Sequence, residues 1–437
     1  MSHDSPPQTA EPVRPLVIFA DDFGRHPSNS QHLARRLAVR RPILWVNTIG
    51  TRRPRLRLAD LRRAAGKLSQ WTAVALRSLT GRAAGADDPR NIHVINPIMW
   101  PDFASPAARR FNALSIGRAV NRAARRRFGS HSPEPVVLTT LPLTADLVGR
   151  IRAHRWLYYA VDDYTAWPGL DHATLTAMES DLLDRVDAAA AVGDTLAQRL
   201  ASRGFDPPLI DHGIDIDEWH HPRAAPPTHP ILDSLRSLPS PLALYWGLID
   251  DRLDHGAITR MASEHGLTVA LIGPVQGDLP RRLDRVPGVH LLGAIDRSLL
   301  PHAASLADLL IAPYIDSAVT RAMQPLKLKE YLATDRPVVA TELPATRPWS
   351  DCCDVAAGYV LAYRAAEAAF LGADPRQLAA RRDRLAGESW AHKAALLEEW
   401  IDSVDARASD TLDRETGDTR DHEPETPQRD AELARAA

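Results

Sequence analysis

The sequence predicts an α/β protein built from two Rossmann-like, doubly wound parallel-sheet domains. Two observations carry that prediction. Short, wholly apolar runs recur between longer amphipathic stretches, and strands of that kind belong in parallel sheets covered by helices on both faces. The pattern also breaks once, at Pro222 to Pro230 (PRAAPPTHP), where neither regular element can propagate, and then restarts. A length of 437 residues suits two cores of ordinary size.

In order along the chain, residues 1–13 are polar and proline-rich and read as disordered. A first domain over 14–221 has strands at Pro15 to Ala20, Pro42 to Asn47, Pro135 to Thr139, Leu157 to Val161 and Ala188 to Val192, with a helix over Ser30 to Arg40. A linker over 222–240 follows. A second domain over 241–385 has strands at Pro241 to Trp246, Thr268 to Ile272, Val289 to Leu292, Leu309 to Pro313 and Val338 to Ala340. An amphipathic helix over 386–404 sets Trp390, Leu396, Leu397, Trp400 and Ile401 at helical spacing, which suits packing at the domain junction. From 405 to 437 ten acids and five arginines leave almost no apolar anchor, the composition of a solvated acidic tail.

Composition excludes several functions. The start of the chain has no apolar core of a signal peptide, and no run approaches the roughly 18 residues that span a bilayer. The only cysteines, Cys352 and Cys353, are adjacent, so a disulfide framework or a cysteine-based zinc site is excluded and a reducing cytoplasm is the expected setting. Lys and Arg total 53 against 55 Asp and Glu, a balance that names no partner. Locally the balance fails: seven basic residues cluster from Arg52 to Lys67, and Arg109 to Arg127 holds seven arginines and no acid. These are either solvated helix faces or a peripheral surface for anionic lipid on the inner face of the membrane. Without interleaved aromatics or a known module, nucleic acid is not an expected partner.

Ligands of open parallel sheets bind beyond the carboxyl ends of the strands, so the loops there are where chemistry is expected. In Tyr245 to Asp254 (YWGLIDDRLD), Gly247 permits close backbone approach and Arg252 suits a phosphate. Gly273 ends the next strand in the same way. Beyond Ile311 to Ile315 (IAPYI), which contains Tyr314, lies Gln324 to Ala333 (QPLKLKEYLA). Gln324 and Pro325 open a helix whose first amides suit an anion. Lys327 and Glu330 share a face of it, matching a diphosphate and a ribose, or alternatively each other as a surface salt bridge.

These residues resemble the C-terminal domain of GT-B glycosyltransferases, particularly the retaining, family-4-like enzymes. The pattern Pro-x-Lys-x-x-Glu-Tyr-Leu-Ala followed by Pro-Val-Val-Ala-Thr stands here as Pro325, Lys327, Glu330 to Ala333 and Pro337 to Thr341. Leu291 to Asp296 (LLGAID) is similar to the segment before that helix, and Asp211 to Asp215 (DHGID) resembles the end of an N-terminal domain. The resemblance implies two domains about a cleft and transfer of a sugar from a nucleotide diphosphate-sugar to a lipid-linked or glycan hydroxyl in cell-surface polysaccharide synthesis. It also implies Glu330 on the ribose and Arg252 and Lys327 on the diphosphate. No cofactor is expected beyond that co-substrate, and no metal-ligand spacing occurs. The family's earlier glutamate is Ala322 here, and its N-terminal glycine-rich loop is absent.

In that loop's place stands Asp21 to His32 (DDFGRHPSNSQH), where Ser28, Ser30 and Gln31 either bind acceptor or donor phosphate or cap a helix. Tyr158 to Trp167 (YYAVDDYTAW) places Asp162 and Asp163 among aromatics past another strand end, the mixture sugar sites favour, and these are the candidate catalytic carboxylates. A nucleotide-sugar 2-epimerase or a catalytically silent nucleotide-binding protein would fit the same plan. A dinucleotide dehydrogenase does not, because no Gly-x-Gly-x-x-Gly follows a strand.

Overall fold

The computed structural model describes residues 13–24, 28–47, 91–164, 171–220, 228–323 and 326–417. Gln324, Pro325, Thr165 to Trp167, the Arg52 to Lys67 cluster and most of the proline-rich break lie outside these, as do residues 1–12 and 418–437.

Two six-stranded sheets are formed, every pairing parallel. The first contains β1 (Leu16–Ala20), β2 (Ile43–Asn47), β3 (Ile92–Ile95), β4 (Val136–Thr139), β5 (Arg155–Ala160) and β6 (Ala188–Ala191), in the order β3-β2-β1-β4-β5-β6. The second contains β7 (Leu242–Trp246), β8 (Thr268–Ile272), β9 (Val289–Gly293), β10 (Leu309–Ala312), β11 (Val338–Thr341) and β12 (Asp354–Ala356), in the order β12-β11-β10-β7-β8-β9. Each is the Rossmann order, with its switch point between β1 and β4 or between β7 and β10.

The apolar runs become strands because both of their faces are buried. Leu16, Ile18 and Ala20 of β1 enter one core while Val17 and Phe19 enter the core on the opposite face. The edge strands β3 and β12 were not expected. Both are short and only partly buried, and β12 opens on Asp354.

Two expected boundaries shift. Ile214 and Trp219 pack in the second domain's core, so the chain crosses over before residue 221; the cause is Trp219, whose ring stacks on Trp246 at 5.3 Å and 5°. The last helix runs Trp390–Gly417, so the tail does not begin at 405: Asp405 is still helical and is salt-bridged to Arg14 at 2.9 Å. Trp390, Leu397, Trp400 and Ile401 join the first domain's core, so the chain returns to where it began.

The two crossings lie side by side. The Ile214 amide donates to the Glu388 carbonyl and the Trp390 amide to that of Ile214. Beneath them Lys329 and Lys393 each reach Asp211 at 2.6 Å, and both also meet Glu388. Both lysines are buried while the two carboxylates are partly exposed, so removing either carboxylate leaves buried ammonium charge less compensated. This knot ties the helix that carries Lys327 and Glu330 to the first domain.

Candidate functional site

The carboxyl ends of β7 and β10 flank the second switch point, and those of the expected donor residues that are described lie around it. Gly247 and Gly273 end adjacent strands with φ of 132° and 147°. A Cβ on Gly273 would lie 1.9 Å from the Gly247 carbonyl oxygen, so the two loops touch backbone to backbone. A Cβ on Gly247 would lie 2.1 Å from Lys327 Nζ, which places the lysine head against this bare main chain.

Lys327 Nζ donates to the Tyr245 hydroxyl at 2.7 Å and sits 4.2 Å from the centre of the Tyr245 ring and 5.5 Å from that of Tyr314. Tyr245 in turn donates to the Leu248 carbonyl at 2.9 Å. The ammonium is thus fixed by two aromatic faces and a hydroxyl, and no carboxylate among the described residues neutralises it.

Lys327 and Glu330 therefore do not form the i, i+3 salt bridge that the sequence left open. Glu330 instead accepts from Trp246 Nε1 at 3.0 Å and from Arg297 Nη2 at 3.1 Å. Arg297 also reaches Glu218 at 2.7 Å and lies over the Trp219 ring. With two donors placed, the Glu330 carboxylate keeps further lone pairs for vicinal hydroxyls.

Arg252 is paired at 3.0 Å with Asp250 of its own loop. Its Nη1 meets Met323 Sδ at 3.5 Å, next to Ala322, which is buried. Part of its charge is thereby spent inside its own loop.

Across from these groups stand the loops after β1 and β5. Burial pushes the Asp162 carboxyl up to about 7, with Asp21 and Asp163 adding to the rise and Arg252 of the opposite domain opposing it. Asp162 makes no hydrogen bond among the described residues. Asp163 is instead salt-bridged to Arg199 at 2.8 Å, and Arg199 binds Glu179 at 2.9 Å. One carboxylate of the pair is anchored and the other faces the cleft.

Of the phosphate-loop candidates, Ser28 is the helix cap: its Oγ accepts from the Gln31 amide and donates to Asp21 Oδ1 at 2.9 Å. Gln31 donates to Asp21 Oδ2 at 2.7 Å, while Ser30 is buried. Ser28 and Gln31 thus hold Asp21, which favours the capping alternative for this loop. Burial pushes the Asp21 carboxyl up as well, against those hydrogen bonds.

Sequence reasoning missed Tyr245, Trp246, Arg297 and His32. The aromatic pair immediately before Gly247 and the arginine following Asp296 were visible signals for three of them. The fourth is visible only in the fold, where His32 stacks on Trp390 at 4.4 Å and 6°. Burial first, then Arg297, Arg36 and Arg35, lower the His32 imidazole to about 4, which keeps it neutral. Among the described residues no group of three or more metal-ligating side chains converges.

No family model matches the chain. Over 180 residues it is 38% identical to TuaH of Bacillus subtilis (strain 168), which carries the name of a teichuronic acid biosynthesis glycosyltransferase; the match covers 39% of this chain and 44% of that one. The chain thus spans less than half the length of that curated relative. Among solved structures, an α,α-trehalose-phosphate synthase (UDP-forming) from Burkholderia vietnamiensis matches with a TM-score of 0.62 and 13% identity, covering 91% of this chain and 99% of that one. Anabaena HepE, in complex with UDP and glucose, matches with a TM-score of 0.53 and 11% identity, covering 92% and 99%. At such identities the likeness is one of architecture, and the chain has the GT-B fold.

Proposed function

We propose that the chain is a glycosyltransferase that moves a sugar from a nucleotide diphosphate-sugar to an acceptor hydroxyl during synthesis of a cell-surface polysaccharide or glycoconjugate. The observation that carries this reading is Lys327, an ammonium held by Tyr245 and Tyr314 against the bare backbone of Gly247 with no carboxylate to neutralise it. A fixed cation at a glycine strand end suits the diphosphate, whose charge grows as the sugar leaves. Glu330 suits the ribose, and Asp162 lies on the acceptor side. The name of the Bacillus relative and the UDP-bearing neighbour point to the same chemistry. The acceptor is a glycan or a lipid-linked sugar, and no protein-bound metal or cofactor takes part.

The resemblance to family-4-like enzymes implies retention at the anomeric carbon, with a diphosphate oxygen taking the acceptor proton. Asp162 favours a second reading. A carboxylate with a pKa near 7 can accept that proton while the acceptor oxygen displaces the diphosphate from the opposite face, with inversion. The test is incubation with nucleotide-sugars and glycan or lipid-linked acceptors, with and without chelator. Release of nucleoside diphosphate together with a new glycosidic bond, undiminished by chelator, is expected, and the anomeric configuration of the product separates the two readings. An altered nucleotide-sugar without acceptor would identify an epimerase instead, and no turnover with tight binding a silent binder.

A further inference from the structure

The helix Pro106–Phe128 covers one face of the first sheet, burying Asn112, Ala113, Ile116, Gly117 and Val120. At 100° per residue, Phe111, Leu114, Arg118, Arg122 and Arg125 fall within one stripe on the opposite side. Phe111 is 49% exposed and Leu114 44%, and the three arginines are exposed. None of those arginines has an ion pair among the described residues, whereas Arg109 of the same helix is turned to Asp146 and Asp181.

The loop after β3 extends the apolar end of that stripe. Asn112 donates to the Trp100 carbonyl at 2.8 Å and accepts from the Trp100 amide at 2.6 Å, and Ser115 donates to the Ile98 carbonyl at 2.7 Å. These bonds fix a backbone that leaves Ile98 59% and Trp100 61% exposed. Two aromatic and two aliphatic side chains are thus exposed on the loop and helix that these bonds join, with arginines continuing along the helix. An exposed apolar cluster of this kind marks an interaction site.

We infer that this face docks peripherally on an anionic lipid bilayer, with Trp100, Phe111, Ile98 and Leu114 entering the headgroup boundary and Arg118, Arg122 and Arg125 lying against the lipid charge. The chemistry of the face selects that occupant. Aromatic and aliphatic groups beside unpaired arginines suit an interface that is apolar inside and negative at its surface. Among the described residues no helix is long and apolar enough to cross a membrane.

The geometry also sets an orientation. β3 runs parallel to β1 and β5, so the loop carrying Ile98 and Trp100 emerges at the same end of the sheet as Asp21 and Asp162. Asn96 joins the two regions, accepting from Asn47 Nδ2 at 3.0 Å while Asn47 Oδ1 accepts from the Phe23 amide. A bilayer on this face borders the mouth of the cleft, where a lipid-linked substrate would emerge.

The test is co-sedimentation of the full chain with vesicles of phosphatidylcholine alone and of phosphatidylcholine with phosphatidylglycerol. Three chains are compared: the parent, Trp100→Ser with Phe111→Ser, and Arg118→Glu with Arg122→Glu and Arg125→Glu. Expected are binding to the anionic vesicles that weakens with salt, a loss of at least about ten-fold with the charge reversals, and a loss of about five-fold or more with the serines. Unchanged melting temperatures show that the surface alone has been altered. Parent-like binding by both variants, binding equal on both vesicle types, or no binding by the parent would overturn the inference. So would conversion of a parent dimer to a monomer by the serines, which would make this face an interface between copies. Vesicle binding requires no sugar transfer, so this outcome stands apart from that of the proposed activity.

Discussion

Lys327 Nζ donates to the Tyr245 hydroxyl at 2.7 Å, and its charge rests 4.2 Å from the centre of the same ring. The lysine thus reaches across from its helix to the end of β7 instead of pairing with Glu330 one turn along. Cation–π contact and a hydroxyl acceptor hold the head in place without cancelling its charge. Its position, and the separate environment of Glu330, decide how the site should respond to substitution.

Lys327 and Glu330 are expected to fail in different ways. Lys327→Ala should weaken a nucleoside diphosphate about ten- to hundred-fold and leave the bare nucleoside nearly unchanged. Glu330→Gln should cost about 1.5–3 kcal/mol for both ligands, since a charge-assisted bond to the ribose is lost. The amide also places a donor against either Trp246 Nε1–H or Arg297, so the melting temperature should fall too. A 2′,3′-dideoxynucleotide separates the two effects: calorimetry should find the parent and Glu330→Gln binding it equally.

Asp162 should report on pH. Its folded carboxyl keeps its proton up to about pH 7, whereas the unfolded chain releases it near 4, the ordinary value for aspartate. Between these values the folded state binds more protons, so its stability falls as pH rises. Asp162→Asn should remove that slope and match the parent at pH 4. At pH 8 it should exceed the parent by about 1–3 kcal/mol, a range reduced from the full shift because the carboxyl is partly open to solvent. If Asp162 is the base, kcat/KM should climb through pH 7 in the parent and fall about 10²- to 10⁴-fold in the variant. A variant with parental activity would leave the proton to the diphosphate.

The two strand-end glycines should separate stability from binding. Gly273→Ala drives a Cβ into the Gly247 carbonyl at 1.9 Å, and backbone cannot yield, so loss of stability by more than about 3 kcal/mol or failure to fold is expected. At Gly247 the obstructing atom is the tip of the Lys327 side chain, which can swing away. Gly247→Ala should then fold with a cost of about 1–3 kcal/mol from its positive φ, while losing diphosphate affinity as Lys327→Ala does. Thermal unfolding and calorimetry on both variants check the contrast.

The sequence revealed strands whose residues are buried on both faces, because continuous apolar runs leave no other role for them. It hid β3 and β12, where one side of the strand faces no neighbour and residues such as His93 and Asp354 interrupt the run. Candidates on the second domain were legible since glycine, lysine and glutamate sit at fixed offsets from strand ends. What those residues touch was not: Arg252 meets Asp250 two residues away, but Glu330 meets Trp246 and Arg297 across 84 and 33 residues. The contrast between Asp162 and Asp163 likewise depends on Arg199, which reaches Asp163 from 36 residues away in the sequence. The domain boundary moved for a similar reason, since nothing local to Trp219 announces that it will stack on Trp246.

The central claim is that the second domain holds the nucleotide of the donor. Crosslinking a photoreactive nucleoside diphosphate to the intact chain, followed by peptide mapping, tests it most directly. Labels should fall on the strand-end loops of the second domain, between residues 245 and 330, and should be lost in Lys327→Ala and competed away by unmodified nucleoside diphosphate. Competable labelling confined to residues before 220 would contradict the account, because it would place the nucleotide beside Asp21 and Asp162 instead of Lys327.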